Sequence, residues 1–263
     1  MMCGMTTTLA PVQLTADSVA HPASSGFTII SPDKNSSRGA IRTFSLAGPA
    51  GRLEAVLNEG ASDAPFAALV CHPHPLYGGN LHNKVVYHAM KALNDPNWGL
   101  GFPVLRFNFR GAGLSEGTHD GNAEAGDVLA ALDWLYREFQ RPLVVAGFSF
   151  GAAMALHACR RSPASHPSIP QLPDVRALVA LGLPTQIDSP AYRYPFLQEV
   201  TAPKLFLSGI CDPFASPDQL SQIAASATDP KQLILLPGAD HFFSGHLEPM
   251  QSALAGWVKE QLQ

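Results

Sequence analysis

The chain has 263 residues, 46% of them hydrophobic and 14% charged, with a formal net charge of −4. That balance belongs to a compact globular protein and excludes a disordered one. No Arg/Lys run or basic face is present and the strict apolar runs are strand-sized, so neither a nucleic-acid partner nor a membrane span is expected.

Residues 1 to 25 are polar, rich in Ala, Ser, Thr and Pro, and lack periodicity. They read as a flexible lead-in to a single domain over 26–263. No basic n-region followed by an apolar h-region opens the chain, so no secretory signal and a cytoplasmic location are expected. Cys3, Cys71, Cys159 and Cys211 show no CxxC or metal spacing and read as free, mostly buried thiols in a reducing compartment.

Ile41–Leu46 and Arg52–Leu57 alternate as two antiparallel strands joined by a turn at Gly48-Pro49-Ala50-Gly51. Phe66–Cys71 is continuous and apolar, as a strand buried on both faces requires. It runs into His72-Pro73-His74-Pro75-Leu76-Tyr77-Gly78-Gly79, a loop stiffened by prolines. A helix is predicted over Asn83–Leu93 and a strand over Phe102–Phe109. The Gly-rich stretch from Arg110 to Gly117 has no G-K-[ST] and opens no dinucleotide fingerprint, so it reads as a turn. A helix over Glu124–Phe139 follows, with Val128, Leu129, Leu132, Leu135 and Tyr136 as its apolar stripe.

Pro142–Ala146 is apolar and β-branched, and Ala152–Ala158 is rich in helix formers. Between them stands Gly147-Phe148-Ser149-Phe150-Gly151, a G-x-S-x-G at a strand-to-helix junction, which is the context of a nucleophile elbow. Strands are predicted over Val175–Leu181, Lys204–Ser208 and Gln232–Leu236, and helices over Pro217–Ala225 and Leu247–Gln261. Alternating strands and helices imply a parallel sheet covered on both faces.

Serine needs a base, and the base needs an orienting acid. Asp212 and His241 each follow a strand, where open α/β sheets place their sites, and the order Ser149, Asp212, His241 suits this chemistry. Asp188 and Asp240 are the other acids weighed, and His246 the other base. Phe150 is expected to give one oxyanion N–H. The second would come from His74, Leu76 or Tyr77, with His74 favoured because Pro73 and Pro75 lack an N–H. The His72 and His74 side chains read equally as structural or functional. The pair lacks an evident third metal ligand, so no metal is assigned. Tyr77, Tyr192 and Phe242 are candidate substrate contacts. Tyr192, Tyr194 and Phe196 read equally as a pocket wall or as loop aromatics packed on the core.

The segments His72–Gly79, Asn83-Lys84-Val85-Val86, Arg106-Phe107-Asn108-Phe109-Arg110-Gly111, Gly147–Gly151 and Gly238-Ala239-Asp240-His241-Phe242-Phe243 resemble the α/β-hydrolase superfamily over nearly all of residues 40–260. They are similar in particular to a bacterial group of small predicted hydrolases akin to dienelactone hydrolases and short-chain acyl esterases. Relatives often carry an extra Asp two positions before the catalytic one, where this chain has Ile210. The resemblance implies the α/β-hydrolase fold, a Ser149–Asp212–His241 triad and no cofactor. About twenty residues separate the strands near Ala180 and Leu205, too few for a helical cap domain, so an open site is expected. The resulting expectation is a serine hydrolase of short-chain carboxylic esters acting on small molecules, as a monomer or homodimer. A thioesterase, lactonase or peptidase on the same residues, or a catalytically silent binding protein, are the alternatives.

Overall fold

The computed structural model describes residues 28–29, 39–160, 174–187 and 189–263. The lead-in expected over 1–25, most of the loop expected over 161–174, and Asp188 lie outside them. The strands are β1 (Thr28–Ile29), β2 (Ile41–Gly48), β3 (Gly51–Asn58), β4 (Ala67–Cys71), β5 (Val104–Phe107), β6 (Leu143–Phe148), β7 (Val175–Leu181), β8 (Lys204–Gly209) and β9 (Lys231–Leu236). The helices are α1 (Lys84–Asn94), α2 (Glu124–Phe139), α3 (Phe150–Ala158), α4 (Pro217–Ser226) and α5 (Leu247–Gln261).

The nine strands of the described residues form one sheet in the order β1-β2-β3-β5-β4-β6-β7-β8-β9. The first three are antiparallel, β3 pairs antiparallel with β5, and every pairing from β5 to β9 is parallel. The expected hairpin is present, in register from Ile41↔Asn58 to Gly48↔Gly51.

Successive strand side chains point to opposite faces, so an apolar run without alternation must be covered twice. In β4 and β6, Leu69, Cys71 and Val145 pack with α2 and α3, while Val70, Val144, Ala146 and Phe148 pack with α1 and α5. Each fully buried Leu, Val or Phe contributes about 1.5–3 kcal/mol relative to exposure. Asn83 starts α1 by accepting from the N–H groups of Val85 and Val86 at 2.9 and 3.4 Å, and Ser216 starts α4 in the same way.

Two devices fix the loops at the C-terminal edge of the sheet. Arg110, just past β5, lies against Asp127 in the first turns of α2. Its backbone N–H donates to Asp127 Oδ2 at 3.1 Å and its Nη2 to Oδ1 at 2.6 Å, with both side chains buried. Nη2 also donates to the Ala123 carbonyl at 2.9 Å.

His72 is the second device. Its Nδ1 donates to the Pro73 carbonyl at 2.6 Å and its Nε2 accepts from the Phe109 N–H at 2.9 Å. This draws the Phe109 N–H out of the sheet ladder, and Pro103 has no N–H to offer. The strand expected over Phe102–Phe109 therefore contracts to Val104–Phe107. Of the two readings of His72, the structural one holds. The ring is fully buried, and burial pushes its pKa down from 6.5 to about 4, against the pull of the Pro73 carbonyl.

Removing one partner of a buried ion pair leaves an uncompensated charge, so Asp127→Ala should lower the unfolding free energy by about 3 kcal/mol. Urea denaturation checks this, and a loss under about 1 kcal/mol would contradict the role given to the pair. For His72, the unfolded chain holds a proton between about pH 6.5 and 4 that the folded chain does not. The stability that neutral His72 confers is full above 6.5 and is lost as pH falls towards 4, by about 3 kcal/mol in all. Unfolding at pH 7 and pH 4.5 should show His72→Asn losing less stability on acidification than wild type, by about 2–3 kcal/mol. An unchanged pH dependence would show that His72 is not the titrating group.

Candidate active site

The strand β6 turns into α3 through Ser149, whose φ is 55° and ψ −117°. A non-glycine residue in that region is strained, and it persists only where its surroundings impose it. They do so here through backbone contact. A Cβ on Gly147 would lie 2.3 Å from the Gly151 carbonyl oxygen, and one on Gly151 would lie 2.5 Å from the carbonyl oxygens of both Cys71 and His72. Both glycines of the motif are thus required by sterics, and the second seats the start of α3 on the end of β4. Ser149 occupies the N-cap position of α3, yet its side chain makes no capping hydrogen bond.

Its Oγ instead lies 3.1 Å from His241 Nε2. His241 Nδ1 is 2.8 Å from Asp212 Oδ2. A carboxylate only accepts, so Nδ1 carries the imidazole proton and Nε2 is left to accept from the serine hydroxyl. Ser149, Asp212 and His241 are 8%, 5% and 5% exposed. They follow β6, β8 and β9, three strands of the same parallel block, which brings residues 92 and 29 positions apart into one line. Asp212 is itself held by the Ser208 hydroxyl, which donates to Oδ2 at 3.1 Å, and by the Phe214 N–H, which donates to Oδ1 at 2.8 Å. Gly182, after β7, passes so close under the His241 ring that a Cβ there would be 3.3 Å from Nδ1.

Asp240 and His246, the other described candidates for acid and base, stand elsewhere. Asp240 Oδ1 accepts from the N–H groups of Phe242 and Ser244 at 3.0 and 2.8 Å, closing its own loop. His246 is the N-cap residue of α5, with Nδ1 2.9 Å from the Ser244 carbonyl oxygen.

Phe150 opens α3, and its ring lies 5.0 Å from that of His74. Of the three N–H groups considered beside it, that of Leu76 donates to His74 Nδ1 at 3.3 Å and that of Tyr77 to the His74 carbonyl at 3.1 Å. Both are engaged within the loop. Burial, and then the neighbouring His119, lower the His74 pKa from 6.5 to about 4. The ring is therefore neutral at pH 7.

His119 and Glu124 emerge only in three dimensions. His119 Nδ1 is 2.7 Å from Glu124 Oε1, and the His119 ring packs on His74 and Phe150 at 4.5 and 5.3 Å. Nothing in the spacing of Ser208, Phe214, His119 or Glu124 along the chain marks them.

Tyr77 is 87% exposed, with its ring 4.8 Å from His74. Tyr192 is buried, with its ring 6.4 Å from that of Phe150 and nearly perpendicular to it. Tyr194 and Phe196 are also buried, with the Tyr194 hydroxyl donating to the Pro184 carbonyl at 2.8 Å, so packing on the core describes both. Phe242 is 54% exposed and its ring stands edge-on to His241 at 5.2 Å. Cys71 and Cys159 are buried free thiols and Cys211, beside Asp212, is an exposed one, while Cys3 lies outside the described residues. Among the described residues, no group of three or more His, Cys, Asp or Glu could hold a metal ion.

Residues 86–253 match the family model described as an alpha/beta hydrolase domain. An uncharacterized protein of Rickettsia prowazekii is 35% identical over 219 residues, covering 80% of this chain and 86% of the relative. A Xanthomonas campestris structure, described as a member of a/b serine hydrolase without lid, superposes with a TM-score of 0.69 at 30% identity, covering 83% of this chain and 93% of that one. An alpha-beta serine hydrolase homologue from Coxiella burnetii gives a TM-score of 0.70 at 30% identity, covering 81% and 95%. With the sheet order, the strand-end placement of Ser149 and these matches together, the chain belongs to the α/β-hydrolase family.

Proposed function

We propose that this α/β hydrolase is a serine esterase that cleaves short-chain carboxylic esters through an acyl-Ser149 intermediate. The observation that carries the reading is the continuous hydrogen-bonded line from Ser149 Oγ through His241 to Asp212.

In the first half-reaction, Ser149 Oγ attacks the ester carbonyl while His241 Nε2 takes the hydroxyl proton. Asp212 holds the imidazole tautomer and stabilises the imidazolium. The carbonyl oxygen, now negative, is met by the backbone N–H groups of Phe150 and His74. The acyl–oxygen bond breaks, and the departing alcohol takes the proton from Nε2. In the second half, His241 deprotonates a water that attacks the acyl carbon, and the proton returns to Ser149 as the acid leaves.

The preference for short acyl groups is supported by the connection between β7 and β8. Its described residues form only the short 3-10 turns Pro190–Tyr192 and Leu197–Glu199 and no lid helix. No described helix is long and apolar enough to cross a membrane. We place the protein in the cytoplasm on the support of its buried free thiols.

Hydrolysis of p-nitrophenyl acetate, butyrate and octanoate by wild type, Ser149→Ala and His241→Ala tests the proposal. Wild type should turn over acetate and butyrate faster than octanoate. Either substitution should lower kcat by roughly 10⁴-fold or more. Full activity in either variant would refute the residue assignment. Turnover restricted to thioesters, lactones or peptides would keep the nucleophile and replace the substrate class.

A further inference from the structure

The alcohol side of the substrate can be read from the same geometry, on the premise that the chain is an esterase. The proton that releases the alcohol comes from His241 Nε2, so the departing oxygen must lie within hydrogen-bond reach of that atom. Whatever the oxygen carries then lies against the side chains that flank the imidazole.

Three phenylalanine rings contact it. Phe148, at 5.0 Å, is fully buried beneath. Phe214 and Phe242, at 4.7 and 5.2 Å, meet the imidazole edge-on and are 38% and 54% exposed. A large apolar side chain left half in water beside a proton-transfer atom offers area that a bound group can cover.

The backbone holds both rings in place. The Phe214 N–H is tied to Asp212 Oδ1, and its carbonyl accepts from the N–H groups of Thr185 and Gln186 at 2.8 and 3.1 Å. Phe242 sits in a loop that Asp240 closes with two side-chain hydrogen bonds. The next residue, Phe243, is fully buried at a φ of 52°, an unfavourable conformation for a bulky residue. With Phe243 anchored inward in that conformation, Phe242 is turned outward over the imidazole. The strain is localised at the residue that sets where Phe242 stands.

We propose that Phe214 and Phe242 form the leaving-group subsite, and that the preferred substrates are esters of apolar alcohols of about aromatic-ring size. Neither ring supplies a hydrogen-bond donor to a polyol, so polar alcohols gain nothing there. The acyl group lies on the opposite side of Ser149 Oγ and is indifferent to both rings.

Acetate esters of ethanol, benzyl alcohol and ethylene glycol test this in wild type, Phe214→Ala, Phe242→Ala, the double variant and Phe242→Tyr. Ethanol and benzyl alcohol have similar acidity, so their ratio reports contact rather than leaving-group chemistry. In wild type, kcat/KM for benzyl acetate should exceed that for ethyl acetate by about tenfold or more, the scale at which apolar pockets discriminate. Each alanine variant should cut that ratio severalfold, the double variant should bring it close to that for the glycol ester, and Phe242→Tyr should preserve it. The ethyl butyrate to ethyl acetate ratio should not change in any variant. A benzyl preference that survives the double variant, or an acyl ratio that falls in parallel, would overturn the subsite. A wild-type enzyme active on esters but flat across alcohols would overturn this inference alone. Failure of every ester would remove the esterase reading and the subsite with it.

Discussion

The start of α3 and the end of β4 approach so closely that the Gly151 Cα hydrogens occupy the only space between them and the carbonyls of Cys71 and His72. Much of the site's geometry follows from this backbone contact. It forces the junction between β6 and α3 to be tight, and tightness places Ser149 at positive φ with its hydroxyl turned away from the helix it heads. It also puts the loop after β4 against that helix, so that His74 meets Phe150. The parallel register then supplies Asp212 and His241 from the turns after β8 and β9, strands in register with the end of β6 through Phe148↔Leu181, Leu181↔Leu207 and Leu207↔Ile234.

Around this contact the histidines are sorted by what surrounds them. His72 is dry and bonded at both nitrogens in its neutral form, so it ties two loops together. His74 is pushed towards neutrality by burial and by His119. His119 faces the buried carboxylate of Glu124. Among the described histidines, His241 alone joins a carboxylate on one side to a hydroxyl on the other. The same side chain thus acts as bolt, as filler, as neighbour of a carboxylate and as the link between a carboxylate and a hydroxyl, which is why its environment and not its identity marks a site.

Much of this architecture was legible in the residues. Runs such as Phe66–Cys71 and Leu143–Ala146 have no polar alternation, which leaves a two-sided core as their only stable setting. That Ser149, Asp212 and His241 come together was legible because each lies in the turn that follows a strand, and parallel strands put those ends together. The extent of β5 was not legible, because it depends on where His72, thirty-seven positions earlier, draws the Phe109 N–H. Nor were Ser208, His119 and Phe214, whose positions follow from loop paths that no local periodicity encodes. Tyr194 and Phe196 were ambiguous for a related reason. An aromatic in an irregular loop suits a wall or a core, and only the Pro184 carbonyl that meets the Tyr194 hydroxyl decides for the core in that case.

Ser149 is the N-cap residue of α3 and, with its hydroxyl bound to His241, does not satisfy the first-turn N–H groups that a capping serine would. It also carries a Cβ at a dihedral that glycine tolerates without cost. Stability alone would therefore favour drift of this position towards glycine, and the serine is a residue that folding gains nothing by keeping. A serine there works against the stability of the rest of the chain, and the two buried clusters on either face of the sheet hold enough apolar surface for the fold to tolerate it.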